Sequence, residues 1–111
     1  MATLLIVNSS PRANSVSRRL TKHVAEQWMQ RDPGNRVIER DLTADTPAIV
    51  TDTWIEANYT PAAQHTPEHV KALAQSDALI AELMAADVIV IGAPMHNFTI
   101  STPLKAWIDQ I

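Results

Sequence analysis

The apolar residues of this chain fall into two kinds of stretch: short unbroken runs, and longer segments where they recur about every four positions. Thr3 to Val7 is a continuous run rich in leucine and β-branched residues, the pattern of a strand covered on both faces. Ser15 to Arg31 carries Leu20, Val24 and Trp28 at fourfold spacing, supported by Val16, Ala25 and Met29, which predicts a helix packed through that stripe. Asp32-Pro33-Gly34-Asn35 ends it, with Gly34 expected to take left-handed dihedrals. Arg36 to Asp41 alternates, and reads as a more exposed strand at an edge.

Leu42 to Gln64 shows no sustained period. It holds Pro47, Pro61 and the aromatic islands Trp54 and Tyr59, and is expected to be a long loop with a functional or interfacial role. Thr66-Pro67-Glu68 opens a helix reaching about Ala86, with Thr66 as N-cap and Pro67 at the first helical position. His69 stands at the capping-box position without being Glu or Gln. The expected apolar side is Val70, Leu73, Ala74, Ala78, Ile80, Ala81, Leu83 and Met84, with room for a bend near Ser76-Asp77. Val88 to Ile91 reads as a second strongly buried strand. Ser101 to Ile111 reads as a last helix with Leu104, Trp107, Ile108 and Ile111 on one face. Strands and helices alternating in this way predict a doubly wound α/β domain spanning 1–111, with parallel strands and helices on both faces.

Composition removes several function classes. The chain has 111 residues, 46% hydrophobic and 19% charged, an ordinary balance for one globular domain. A formal charge of −3 without a basic run or a basic-aromatic patch gives no footprint for nucleic acid. The absence of cysteine excludes disulfides, thiolate metal sites and thiol catalysis. The first apolar run is too short, and lacks the basic flank, for a signal peptide or membrane span, so the expected location is cytoplasmic. His65 and His69 lie four apart with no carboxylate to complete a triad, so no metal is assigned.

The candidate chemistry lies in two loops, each following an apolar strand. Asn8-Ser9-Ser10-Pro11-Arg12-Ala13-Asn14-Ser15-Val16-Ser17 is dense in hydroxyls and leads into a helix. Free backbone N–H groups and the positive end of the helix dipole favour a phosphate there, with Arg12 and Arg18 adding nearby charge. Serines alone would only build a turn and a cap; their place between a buried strand and a helix points to a phosphate. Glycine occurs only at 34 and 92, which excludes the glycine-rich dinucleotide and Walker loops. The second loop, Ala93-Pro94-Met95-His96-Asn97-Phe98, offers backbone amides for the edge of a flat ring, with Met95 and Phe98 to pack on it. In open parallel sheets ligands bind at the carboxyl ends of the strands. Phosphate at one loop and ring at the other describe a nucleotide-like cofactor such as a flavin.

The strand followed by S-S-x-R-x-x-S-x-S, and later V-I-V-I-G-A-P-M-H-N-F-T-I-S-T-P-L-K-A-W-I-D, resembles the FMN-dependent NADH azoreductases, also called FMN-dependent NADH:quinone oxidoreductases. Leu73 to Leu83 is similar to a helix of the same family. The resemblance covers essentially the whole chain and implies a flavodoxin-like three-layer α/β/α fold. It implies FMN phosphate at Ser10, Ser15, Val16 and Ser17, and the ring edge at Met95, His96, Asn97 and Phe98. NADH or NADPH would be the electron donor, and a quinone or azo compound the acceptor, in a ping-pong reaction without a catalytic side chain. Family members often carry tyrosine where His96 stands, and are homodimers with Leu42 to Gln64 a plausible part of the contact.

A flavodoxin-like sheet has five strands in the order 2-1-3-4-5. This sequence supplies three, so the resemblance implies the N-terminal portion of a longer protein, or a shortened product. Two other readings stay open. One is a flavin-binding electron carrier, separated from the enzyme by whether NADH bleaches the flavin. The other is a truncated chain without activity, separated by whether unfolding is cooperative.

Overall fold

The computed structural model describes residues 1–111 as β1 (Thr3–Asn8), α1 (Val16–Arg31), β2 (Arg36–Asp41), α2 (Asp52–Tyr59), a short 3-10 turn (Ala62–Gln64), α3 (Pro67–Ala85), β3 (Val88–Gly92) and α4 (Thr102–Gln110). The three strands are parallel in the order β2-β1-β3, as the alternation of elements predicts. All six residues of central β1 are buried, which explains why its apolar run is unbroken. Leu5 and Val7 face one layer and pack with Leu42, Leu79, Leu104 and Trp107. On the opposite face the Thr21 hydroxyl of α1 donates to Asn8 Oδ1 at 2.7 Å. The result is a sheet between α1 on one side and α3 with α4 on the other. No helix is long and apolar enough to cross a membrane.

Several sequence expectations give way here. Val88, Ile89 and Ile91 are exposed rather than strongly buried, because β3 pairs only with β1 and forms an edge of the sheet. The stripe expected to bury α1 fails for the same reason. Leu20 and Val24 are exposed and flank a groove whose other wall is Val90 and Ile91, while the buried residue of α1 is Thr21. Trp28 is half-buried, and its indole N–H donates to Arg36 O at 3.0 Å. Gly34 has no positive φ. Side chains make that turn instead: Asp32 Oδ1 accepts the Gly34 N–H, and Asn35 Nδ2 donates to Trp28 O.

The stretch expected to be a long loop contains α2. Thr51 caps it, accepting the Trp54 N–H at 3.2 Å. Two turns are too short to show a period, and α2 docks on α3 through a hydrogen bond rather than an apolar stripe. The Trp54 indole N–H donates to Ser76 Oγ at 2.8 Å, Ser76 donates to Gln110 Oε1 at 2.6 Å, and Gln110 Nε2 donates to Ala48 O at 2.8 Å. This network binds α2, α3, α4 and the 42–50 segment.

Helix α3 runs unbroken through Ser76-Asp77. Its buried positions are His69, Ser76 and Leu79, with Leu73 and Leu83 half-buried. Val70, Ala74, Ala78, Ile80, Ala81 and Met84, expected on the packed side, are exposed. Two polar residues occupy the true contact stripe, so hydropathy alone misplaces it. His69 completes the capping box despite not being acidic: its Nδ1 accepts the Thr66 N–H at 3.3 Å while Thr66 Oγ1 accepts the His69 N–H at 3.2 Å. In α4, Leu104 and Trp107 are buried as expected, Ala106 and Gln110 join them, and Ile108 and Ile111 are exposed.

Two contacts fix the carboxyl ends of the strands. The Ser9 hydroxyl, fully buried, donates to Gly92 O at 2.6 Å, and the Ser101 hydroxyl donates to Ser9 O at 3.2 Å. Arg18 forms the second, a bidentate pair with Asp41 at the end of β2 (Nη2 to Oδ1 2.9 Å, Nη1 to Oδ2 3.1 Å). Arg18 also donates twice to Ser10 O, at 2.7 and 3.0 Å. The hydrogen bond from Arg18 outweighs burial and, with two bonds from Thr43, lowers the Asp41 pKa to about 2. The same pairing raises the Arg18 pKa.

Asp41 therefore favours the folded state at every pH above the ordinary carboxylate value of 3.8, and that contribution vanishes as pH falls through about 2. Asp41→Asn is expected to lower stability at pH 7 and to flatten the stability profile between those two values, as read by urea unfolding at a series of pH values. A profile in the variant as steep as in the parent protein would exclude Asp41 as the titrating group. Ser9→Ala leaves the Gly92 carbonyl without its buried donor and is expected to cost about 1–2 kcal/mol in the same measurement.

Candidate functional site

The two strand-end loops foreseen from sequence meet in space. β1 and β3 are aligned so that Asn8 stands opposite Gly92, and the loops that follow leave the sheet side by side. Glycine is required at 92 by crowding. A Cβ there would lie 3.1 Å from Thr21 Cγ2 and 3.2 Å from Asn8 Oδ1, and 3.6 Å from Ser17 Cβ. The start of α1 is thus packed directly against the start of the second loop. A groove of about 290 Å³ runs between them, bordered by Ser17, Thr21, Val90, Gly92 and Ala93. Larger grooves of about 430 Å³ between α1 and β2, and about 540 Å³ beside α4, are each bordered by one of the loops only.

The first loop divides its side chains between building and offering. Ser9 is structural, as described. Ser10 is also buried, and its Oγ accepts the Arg12 N–H at 3.3 Å. Ser15 is the N-cap of α1: its Oγ accepts the Arg18 N–H at 3.2 Å and lies 3.2 Å from Ser17 Oγ. Ser15 and Ser17 are half-buried and Val16 is exposed, so the mouth of α1 is open to solvent. Arg18 corrects the sequence expectation. Its guanidinium is committed to Ser10 O, Asp41 and Thr43 Oγ1, and shapes the loop rather than presenting charge to a ligand. Arg12 remains exposed. Spacing along α1 could not reveal this, because Asp41 and Thr43 lie at the end of another strand.

The second loop ends in a tight hairpin. The His96 N–H donates to Thr99 O at 2.7 Å and the Thr99 N–H donates to His96 O at 3.0 Å. The two residues between them have positive φ, 49° at Asn97 and 67° at Phe98. Met95, His96, Asn97 and Phe98 are all exposed, with Phe98 at 91% and Met95 at 74%. The hairpin returns to Ser101, which caps α4 and, through Ser9, anchors this loop to the first one. The structure therefore brings Ser10, Ser15, Val16 and Ser17 to the end of β1, and Met95 to Phe98 to the adjoining end of β3. Ser101 and the Gly92 contact were missed from sequence; the only signal for them was a serine before Thr102-Pro103 and a lone glycine after a strand.

The remaining histidines serve the fold. His65 Nε2 lies 3.0 Å from Ala57 O and 2.9 Å from Thr60 O, closing the end of α2, and His69 caps α3. No group of three or more His, Asp or Glu side chains is arranged to hold a metal ion.

Comparison with known proteins gives a consistent family. The flavodoxin-like fold family matches residues 2–111. An FMN-dependent NADH:quinone oxidoreductase of Hahella chejuensis is 48% identical over 97% of this chain and 53% of its own length. Another, from Jannaschia sp., is 46% identical over 100% of this chain and 55% of its own. A crystal structure of an FMN-dependent NADH-azoreductase from Bacillus anthracis in complex with FMN superposes with a TM-score of 0.82 at 25% identity, covering 98% of this chain and 55% of that one. The chain spans about half the length of the curated relatives it matches. A parallel sheet in the order β2-β1-β3, two adjoining strand-end loops and a family match over nearly every residue lead to one conclusion: this chain belongs to the flavodoxin-like fold family.

Proposed function

We propose that this chain is the FMN-holding part of an oxidoreductase that uses NADH or NADPH to reduce quinones and azo compounds. The observation that carries the reading is the junction of the two loops, with the open mouth of α1 beside the exposed 95–98 hairpin. Relatives named FMN-dependent NADH:quinone oxidoreductases, and the superposable azoreductase in complex with FMN, support the same ligand.

The residues fit that group chemically. The mouth of α1 supplies backbone N–H groups at Val16 and Ser17, together with the hydroxyls of Ser15 and Ser17, for the phosphate. Ser10 shapes the loop below it and keeps a hydroxyl proton to donate. The hairpin places backbone groups of Met95, His96, Asn97 and Phe98, and two apolar side chains, where a flat ring with a polar edge would lie. Bound there, FMN would supply two-electron transfer, taking electrons from the nicotinamide and passing them to the second substrate in a ping-pong sequence. The protein's own contribution is to hold, orient and tune; no side chain is assigned acid–base work. The assembly proposed is a homodimer, and the location cytoplasmic.

Purified protein mixed with FMN is expected to quench flavin fluorescence with a saturable isotherm. Ser15→Ala with Ser17→Ala is expected to weaken FMN about tenfold or more while leaving riboflavin, which lacks the phosphate, nearly unaffected. Because Ser15 also caps α1, the double variant should lose about 1 kcal/mol of stability, and Ser17→Ala alone serves to separate binding from folding. Equal FMN affinity in all three proteins would remove the phosphate assignment. Bleaching of the bound flavin by NADH, and its recovery on adding a quinone, distinguishes an enzyme from a carrier.

A further inference from the structure

The hairpin at 96–99 contains an unexplained expense. Two successive positive φ values closed by a reciprocal hydrogen-bonded pair mark a type I′ turn, whose usual residues are Asn then Gly. Asn97 suits the first position. Phe98 does not suit the second: in the left-handed region its Cβ crowds the following carbonyl, and nothing in its own chemistry relieves that. Folding gains nothing in exchange, since Phe98 is 91% exposed and buries almost no apolar surface. Strain held against folding in an exposed aromatic, beside a candidate ligand site, points to a role outside stability.

We propose that the Asn97-Phe98 turn is a rigid mount that holds the Phe98 ring ready as a stacking surface for a flat heteroaromatic ring, at the expense of chain stability. The proposal rests on the flavin reading above and adds to it which side chain fixes ring affinity and why glycine is absent from the turn. The mount is fixed at its base by the His96–Thr99 pair, and the loop behind it by Ser101 and Gly92, so the ring is positioned before any ligand arrives. A pre-placed surface loses little freedom on binding, which is where its contribution to affinity lies.

Three variants of the full chain test this, with thermal unfolding of the unliganded protein and fluorescence titration with FMN and with riboflavin. Phe98→Gly relieves the strain and removes the ring: its unfolding midpoint should rise by about 4 °C, and both flavins should bind about tenfold more weakly. Phe98→Ala removes the ring but keeps a Cβ in the left-handed region: its midpoint should stay near that of the parent, with the same tenfold loss for both flavins. Phe98→Tyr should restore both affinities. A loss shared equally by FMN and riboflavin marks the ring, whereas the serine variants discriminate between the two ligands. Failure of Phe98→Gly to gain stability overturns the strain argument. Parental flavin affinity in Phe98→Gly and Phe98→Ala overturns the stacking role while leaving the flavin reading intact. If the parent protein binds neither flavin, the flavin reading fails and this proposal fails with it.

Discussion

The hydrogen bond from the Ser9 hydroxyl to the Gly92 carbonyl joins the ends of two neighbouring parallel strands where both chains are about to leave the sheet. Its geometry depends on the absence of a side chain at 92, since a Cβ there would press on both Thr21 and Asn8. Those two residues are bonded to each other, and Asn8 continues the link by donating from Nδ2 to Glu39 Oε1 at 3.1 Å on β2. One small residue thus allows α1, β1, β2 and β3 to converge at a single level. Both candidate binding loops start from that level, and neither would stand beside the other without it.

Arg18 performs the complementary task from the other side. Cations near a phosphate site invite assignment as ligands, yet this one is consumed by Asp41, Thr43 and the Ser10 carbonyl. The arrangement leaves the anion site to neutral donors: hydroxyls and the unpaired N–H groups at the mouth of α1. Such a site gains from direction as well as from charge, so it depends on the loop having one shape. The clamp supplies that shape by tying Ser10 to the far strand.

Legibility followed the kind of force at work. β1 was readable because a central strand is apolar on both faces, and the start of α3 because Thr66-Pro67 is a local signal. Both loops were readable because they sit between elements of opposite periodicity. Burial at β3 and along Leu20 and Val24 was not readable: whether an apolar residue is covered depends on strand order, which no local window contains. The contact stripe of α3 was misplaced because His69 and Ser76 take positions that hydropathy assigns to solvent. α2 was missed because a polar network, not an apolar stripe, holds it. The bonding of Arg18 and the strain at Phe98 were invisible for the same reason, being properties of backbone direction and of partners far away in sequence.

The chain from Trp54 through Ser76 to Gln110 has a mechanical consequence. Apolar contacts tolerate sliding, but a buried hydrogen bond is satisfied at only one axial setting. α4 is gripped in this manner at both extremities, by Ser101 against Ser9 and by Gln110 against Ser76 and Ala48. It can neither rotate nor shift along its axis without stranding a polar atom. The segment between Gly92 and Ser101 is consequently a span with two immovable abutments, and whatever compliance this end of the molecule possesses is confined to the crown of that arch.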